Sequence, residues 1–539
     1  MSVASRLAVP AVLSLMLVAR VCAQEHVHDG APAEQLGRVA FATSCRPDAQ
    51  ARFERAMALL HSFWWEEGGR AFRAVAAADS TCALAYWGLA LNSWGNPFVG
   101  GPSGDNLRQG AVAAARALAL GAPTAREHGL LSSVGALYRN YETTPNSRRL
   151  LAYSDTLARV YREFPDDPEV AIYYALSLIA TASPTDTTFG RQRQAVAILN
   201  PLFRRFPEHP GLAHYIIHAN DSPQLAALGL DAARRYAQIA PSAPHAQHMP
   251  SHIFVRLGLW DETIAANQRS LDAGIEYARA QGRGVAPEQF HALDYMVYGY
   301  LQQGRDSAAR RTVAQGLALT AVLSSDLVTN YNRVAMEARV PLERGDWAAA
   351  ALLPVRAAGQ GGIAEALGHF ARGIGAARSR DTAQTRVEVA ALAGIEAALA
   401  GQSGYNWSRI VGIKKQAVAA WLRLAAGDTA GALREAKAAA DLEDVTAKHP
   451  VTPGELLPAR ELEGDLLLAV GQYAAARAAY EATLRREPGR PRSLFGAARA
   501  AELAGDVAAA RTRYRAYLTQ MLQSDGVRAE LEIARAGSR

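Results

Sequence analysis

The sequence predicts an all-α fold, a solenoid of antiparallel helix pairs running through most of its 539 residues. Three observations predict it. Alanine, leucine and arginine dominate the text, while β-branched and aromatic strand formers are thinly scattered, which favours helices. The chain is too long for one compact core and suits an extended array or several domains. A self-similarity with a spacing of 34 residues runs through the C-terminal part.

The first residues read as a secretory signal. Arg6 gives a positive start, Leu7 to Ala19 a short apolar run, and Val21-Cys22-Ala23 the small residues of a cleavage site, so residues 1–23 are expected to be removed. The run is too short to span a bilayer and no later stretch qualifies, so no integral membrane segment is expected after cleavage. The expected destination is the periplasm or the outside of the cell. Residues 24–40 read as a flexible leader. Its start, Gln24-Glu25-His26-Val27-His28, is a weak match to an amine-and-histidine copper or nickel chelator, and an uninvolved leader explains it as well.

Cleavage leaves Cys45 and Cys82, and an oxidising compartment permits a disulfide between them. Two buried free thiols are the alternative. The formal charge is +6, almost all from arginine, with lysine only at 414, 415, 437 and 448. These charges are interleaved with acids at helical spacing and form no dense basic run, so a nucleic-acid footprint is not expected.

The repeat is clearest in Leu462 to Pro488. Gly464, Ala476 and Tyr480 recur 34 residues later as Ala498, Ala510 and Tyr514. Small residues let two helices approach, and the aromatic fills the space toward the next pair. This pattern resembles the tetratricopeptide family. Leu257-Gly258-Leu259-Trp260-Asp261-Glu262 and Arg344-Gly345-Asp346-Trp347 are similar to its turns, and Trp65 to Asp79 to its second helix and exit. The resemblance implies a superhelical solenoid of about twelve antiparallel helix pairs, with first helices lining a concave groove. The glycine-rich stretches Ala358–Gly362 and Gly401–Gly404 then separate an N-terminal array, 41–357, with a histidine-lined groove, from a C-terminal array, 363–523; either stretch also reads as a long interhelical loop. Residues 524–539 remain as a tail.

Thirteen histidines are present, and seven of them (His209, His214, His218, His245, His248, His252 and His291) fall between residues 209 and 291. Repeats counted from Pro210, Pro244 and Phe290 put Gly211, His214 and His218, then His245, His248 and His252, then His291, Asp294 and Tyr298 at positions 2, 5 and 9. In the resembled family these positions face the groove, and their spacing puts them on one helical stripe. Six of the nine are histidine. First helices of adjacent repeats lie roughly 10 Å apart, near enough for their imidazoles to share an ion.

Imidazoles with one carboxylate suit a transition metal, with zinc first and copper, nickel or iron also admitted. The expected ligands are His214, His218, His248 and His252, completed or supported by His291, His245 and Asp294. Asp221 and Tyr298 are expected to hold outer ring nitrogens. The spacing His214-x-x-x-His218 mimics zinc peptidases, but Tyr215 stands where their general-base glutamate would be, so that reading fails. Whether the site is catalytic stays open, with Asp294 or Asp221 available as a base. His61, Trp87 and Trp94 are further groove candidates. His128, His209, His369 and His449 are expected to be ordinary solvated or hydrogen-bonded residues. The rival expectation is a metal-free scaffold whose groove binds a peptide or partner protein.

Overall fold

The structure is a computed structural model that describes residues 34–356, 362–402 and 404–539. The expected signal with Cys22, the leader's first half with His26 and His28, and residues 358–361 of the glycine-rich break lie outside the described residues. Within them are twenty-six α-helices and one short 3-10 helix, and the only strand-like feature is an isolated bridge between Val285 and Val322. Consecutive helices pack on one another through short connections, the arrangement short helix–helix loops enforce.

Local chemistry sets the boundaries. Helices at Pro47, Pro168, Pro210, Pro244, Pro287 and Pro491 open on proline, whose missing N–H costs nothing in a first turn. Asp326, Asp381, Asp428 and Asp506 cap later helices by accepting from a backbone N–H three residues on. Gly258 ends the Pro250–Leu257 helix at φ 69°, and a β-carbon there would lie 2.4 Å from the Pro488 carbonyl oxygen. Glycine is required at that position both for the turn and for the approach of the later chain. Tyr480 fills the space where β-carbons on Gly464 and Gly496 would strike its ring, the small-against-aromatic logic of the repeat.

Residues 35–539 form one compact unit. Contacts cross the break expected near residue 360: Arg339 donates to Thr452 Oγ1 (2.9 Å) and the Gly454 carbonyl (3.0 Å), and Arg490 to the Tyr298 hydroxyl (3.2 Å). One expectation about the ends needs correction. The leader's second half is not flexible. Leu36, Val39 and Phe41 are buried, Gln35 exchanges hydrogen bonds with Ser242, and Arg38 N donates to the Glu208 carbonyl. In the C-terminal tail, Ala529–Gly537 is a helix that buries Ala534 and sets Gly537 against Tyr514. No helix among the described residues is long and apolar enough to cross a membrane. Cys45 and Cys82 are joined as a disulfide, with Cα atoms 4.8 Å apart.

Candidate metal centre

Three neighbouring helical stretches carry the histidines. Pro210–Asn220 supplies His214 and His218, and Pro287–Gln302 supplies His291. Between them Pro244–His248 supplies His245 and His248, and Pro250–Leu257 supplies His252. The last two are one helix interrupted at Met249–Pro250, where proline removes a backbone donor. Spacings of three and four residues turn these side chains to one side.

The six rings fall into two groups of three, His214/His218/His245 and His248/His252/His291; within each, one ligand atom per residue lies within 4.8 Å of the others. In the first, His214 Nε2 is 3.0 Å from His218 Nε2 and 3.2 Å from His245 Nε2. In the second, His248 Nε2 and His252 Nε2 are 3.0 Å apart. The Nδ1 of His291 is buried with no hydrogen-bond partner. Two nitrogens each bound to one ion at about 2.0–2.1 Å stand about 2.9–3.4 Å apart for bond angles of about 90–109°.

Hydrogen-bond partners assign the protons. His214 Nδ1 faces the His61 carbonyl at 2.7 Å. His61 is the last residue of the Pro47–His61 helix, where carbonyls lack intrahelical partners. His252 Nδ1 faces Asp221 Oδ2 at 2.9 Å. His248 Nδ1 faces Asn267 Oδ1 at 2.6 Å, and the Asn267 amide is oriented by its Nδ2 donating to the Thr263 carbonyl. All three partners only accept, so each ring carries its proton on Nδ1 and a lone pair on Nε2. The His248 and His252 lone pairs therefore face each other with no proton to place between them. In the other triad one lone pair of His214 faces two nitrogens. A cation would resolve the His248–His252 arrangement, whereas an Nε2–H on His218 or His245 would also satisfy the His214 lone pair.

Burial holds all six rings below the usual histidine pKa, and neighbouring imidazoles add to the effect at His214, His218, His245, His248 and His291; His248 falls to about 3. Neutral rings are the form that ligates. Phe63 packs against His214, His218 and His245, and Phe98 lies 4.2 Å from the His218 ring, centroid to centroid. Phe63 holds a left-handed φ of 53°, an uncommon conformation for a bulky residue, of the kind that clusters at functional sites. Tyr295 packs against all three rings of the second triad.

A cavity of about 380 Å³ reaches His218 and Asp221 and is lined further by Arg256, Lys448, Arg460, Arg486 and several carboxylates. Burial brings the Lys448 ammonium down to about 8 against the pull of Asp221. Burial, with Glu455 nearby, raises the Glu443 carboxyl to about 8.

Several expected residues stand elsewhere. Asp294 is not among the converging groups. It is fully buried and both its oxygens take hydrogen bonds from Arg339 (2.7 and 3.0 Å), which leaves no room for a metal. Tyr298 holds no ring nitrogen; its hydroxyl meets Glu487 and Arg490. His61 lies beneath the site, not on a groove. It is fully buried with Nε2 on Glu169 (3.0 Å) and Nδ1 on the Tyr215 hydroxyl (3.0 Å), and His209 takes the other Glu169 oxygen (2.8 Å). Burial alone would raise the Glu169 pKa, but His61 and His209 hold it below the ordinary carboxylate value. Trp87 is core, packed edge-on against Phe41 and Tyr173, and Trp94 packs against Tyr138 under Arg149. Asp221 contacts the second triad from outside, shared between His252 and Arg256. His128 is exposed, His369 bonds Glu388, and His449 is buried on Trp407.

Against known proteins, the tetratricopeptide repeat family model matches residues 462–524. The chain carries tetratricopeptide repeats. Among solved structures, these repeats share a loose likeness with yeast Tom70 (11% identity, 91% of this chain and 95% of that one, TM-score 0.32). They share another with human IFIT1 bound to m7Gppp-AAAA (10% identity, 78% and 87%, TM-score 0.37). Likenesses this loose say nothing about a ligand. No curated protein matches the sequence. Phe63, Phe98, Asn267, Tyr295 and the His61 carbonyl are parts of the site that reading the sequence missed. Asn267 lies on a second helix, Trp260–Ala280, which the groove rule ignores. Tyr295, four residues after His291, was within reach of the same periodicity.

Proposed function

We propose that the two histidine triads bind transition-metal ions in a tetratricopeptide-repeat protein. One observation carries the proposal: His248 and His252 present lone pairs to each other at 3.0 Å, with each ring's proton committed to an acceptor on the far side. A protein using these rings only for packing would arrange a donor against an acceptor. Neutral imidazoles with acceptors behind them are the pattern of ligating histidines. Zinc, copper, nickel and iron all accept this donor set.

The test is elemental analysis of untagged full-length protein purified without chelator. Near-stoichiometric metal is expected, and His248→Ala with His252→Ala should lower it. Protein that arrives metal-free and takes up none of the four metals would end the proposal. We extend the proposal to export, supported by the Cys45–Cys82 disulfide, which persists in oxidising compartments. Fractionation that leaves the full-length chain in the cytoplasm would remove that part.

A second reading is a scaffold for a peptide or partner protein, supported by the repeats themselves and by the polar cavity of about 380 Å³. Under it, capture of one specific partner would be insensitive to chelator and to the His248/His252 substitutions.

A further inference from the structure

The two triads adjoin. His245 and His248 belong to one helical stretch, serve different triads, and have ring centroids 6.2 Å apart. His218 and His252 face each other across the same boundary at 6.4 Å. Two ions held by the two sets would be close neighbours.

The donor inventory then narrows their charge. Among the described residues six imidazoles converge and no carboxylate joins them: Asp221 is spent on His252 and Arg256, and Asp294 on Arg339. Neutral ligands cancel none of an ion's charge, and His214, His248 and His252 are fully or almost fully buried. Two divalent ions would place four positive charges there, with Asp221 the one carboxylate bound to a ligating ring. Uncompensated buried charge is costly, so two monovalent ions fit the site better. Among the metals that imidazole suits, copper is the one with a common monovalent state, copper(I).

On the metal-binding reading above, we infer that the paired triads form a dinuclear copper centre, loaded as two copper(I) ions, whose bridging ligand is dioxygen. Each copper(I) gives one electron to the bound molecule. The oxygen–oxygen bond is reduced from double to single, copper–oxygen bonds form, and two copper(II) ions share a peroxide. Net charge is conserved and no proton is consumed. The cavity that reaches His218 is the approach to the pair, while Phe63 and Phe98 close one flank of the first triad.

The experiment uses full-length protein stripped of metal and titrated with copper(I) without air, against a coloured copper(I) chelator. Saturation at two ions per chain is expected. On admitting air, the X-ray absorption edge should move to that of copper(II), and two copper(II) ions joined by a bridge couple their spins, so the electron paramagnetic resonance signal should fall far below that of two isolated ions; an edge that stays at copper(I), which is silent by itself, overturns the inference. His218→Ala and His291→Ala, both at half-buried positions, should each yield one of the two ions to the competitor. Each should then show the full signal of an isolated copper(II) after oxidation. Saturation at one ion, or a summed signal from two uncoupled ions, overturns the inference. Both outcomes leave metal binding standing, as does uptake of zinc without copper, which also overturns it. A chain that takes up no metal refutes the metal-binding reading itself. The stoichiometry and coupling of the unsubstituted protein decide the matter even if a variant fails to fold.

Discussion

Replacing Asn267 with leucine removes one hydrogen bond to His248 and almost no volume, at a side chain with no exposed surface. In the native chain the Asn267 oxygen keeps the His248 proton on Nδ1 and aims the Nε2 lone pair at its triad. Without that acceptor the proton is better placed on Nε2, where it can donate to His252 Nε2 3.0 Å away. The metal-free variant thus satisfies the ring by another route, and its stability should change by no more than about 1 kcal/mol. A metal ion must now displace that proton and works against a ring free to turn. Loss of such an outer partner typically costs 10- to 100-fold in metal affinity, about 1.4–2.7 kcal/mol. Competition against a coloured chelator measures the affinity, and urea unfolding of the metal-free proteins measures the stability. Equal retention of metal by Asn267→Leu and the native chain, at a competitor concentration that strips His248→Ala, would refute the tautomer argument.

Three other outcomes are expected. Arg339→Met should strand the fully buried Asp294 carboxylate and cost roughly 3–5 kcal/mol in urea unfolding, while metal content by elemental analysis stays at the native value, since Asp294 is outside both triads. Opening the Cys45–Cys82 link, which closes a separation of 37 residues, should cost about 4 kcal/mol on the chain-entropy estimate. Guanidinium unfolding should then give Cys45→Ser/Cys82→Ser and the native chain the same midpoint in reductant and different midpoints without it. Burial would raise the Glu461 carboxyl, but Arg490 and Arg492 hold it at about 2, against 4.5 unfolded. Its contribution to stability is therefore complete above pH about 4.5 and drains as pH falls toward 2. Glu461→Gln should start less stable at neutral pH and show a shallower loss across that window, followed by urea midpoints at successive pH values.

Much of the helical framework was legible in the residues. Tyr480 and Tyr514 with their small partners mark the C-terminal repeats, and Pro210 and Pro244 open two histidine-bearing stretches where the repeat register put them, while the third opens at Pro287, three residues before the expected Phe290. The histidine stripe was visible because residues three and four apart share a helix face, a local property. What escaped is non-local. No periodicity says that six rings divide three and three, since that depends on the distances between helices. Asp294 occupies a stripe position, but Arg339, 45 residues on, claims both its oxygens. His61 matters through its backbone carbonyl, which its side-chain identity does not encode. Residues 35–41 look like a loose leader because Leu36, Val39 and Phe41 show no helical period, and their burial depends on chain more than 160 residues away, where Arg38 pairs with Glu208 and Gln35 with Ser242.

The contacts of Gly258 with Pro488, Tyr298 with Arg490 and Arg339 with the Thr452–Gly454 turn have a consequence for how the molecule comes apart. In an open stack each module touches only its neighbours, so modules can melt from an end, or be added and deleted one at a time. Here the later modules are stitched back onto earlier ones, and inserting or deleting one between residues 300 and 450 would shear every stitch out of register at once. Evolution can edit such a chain at its surface loops, but its module count is locked.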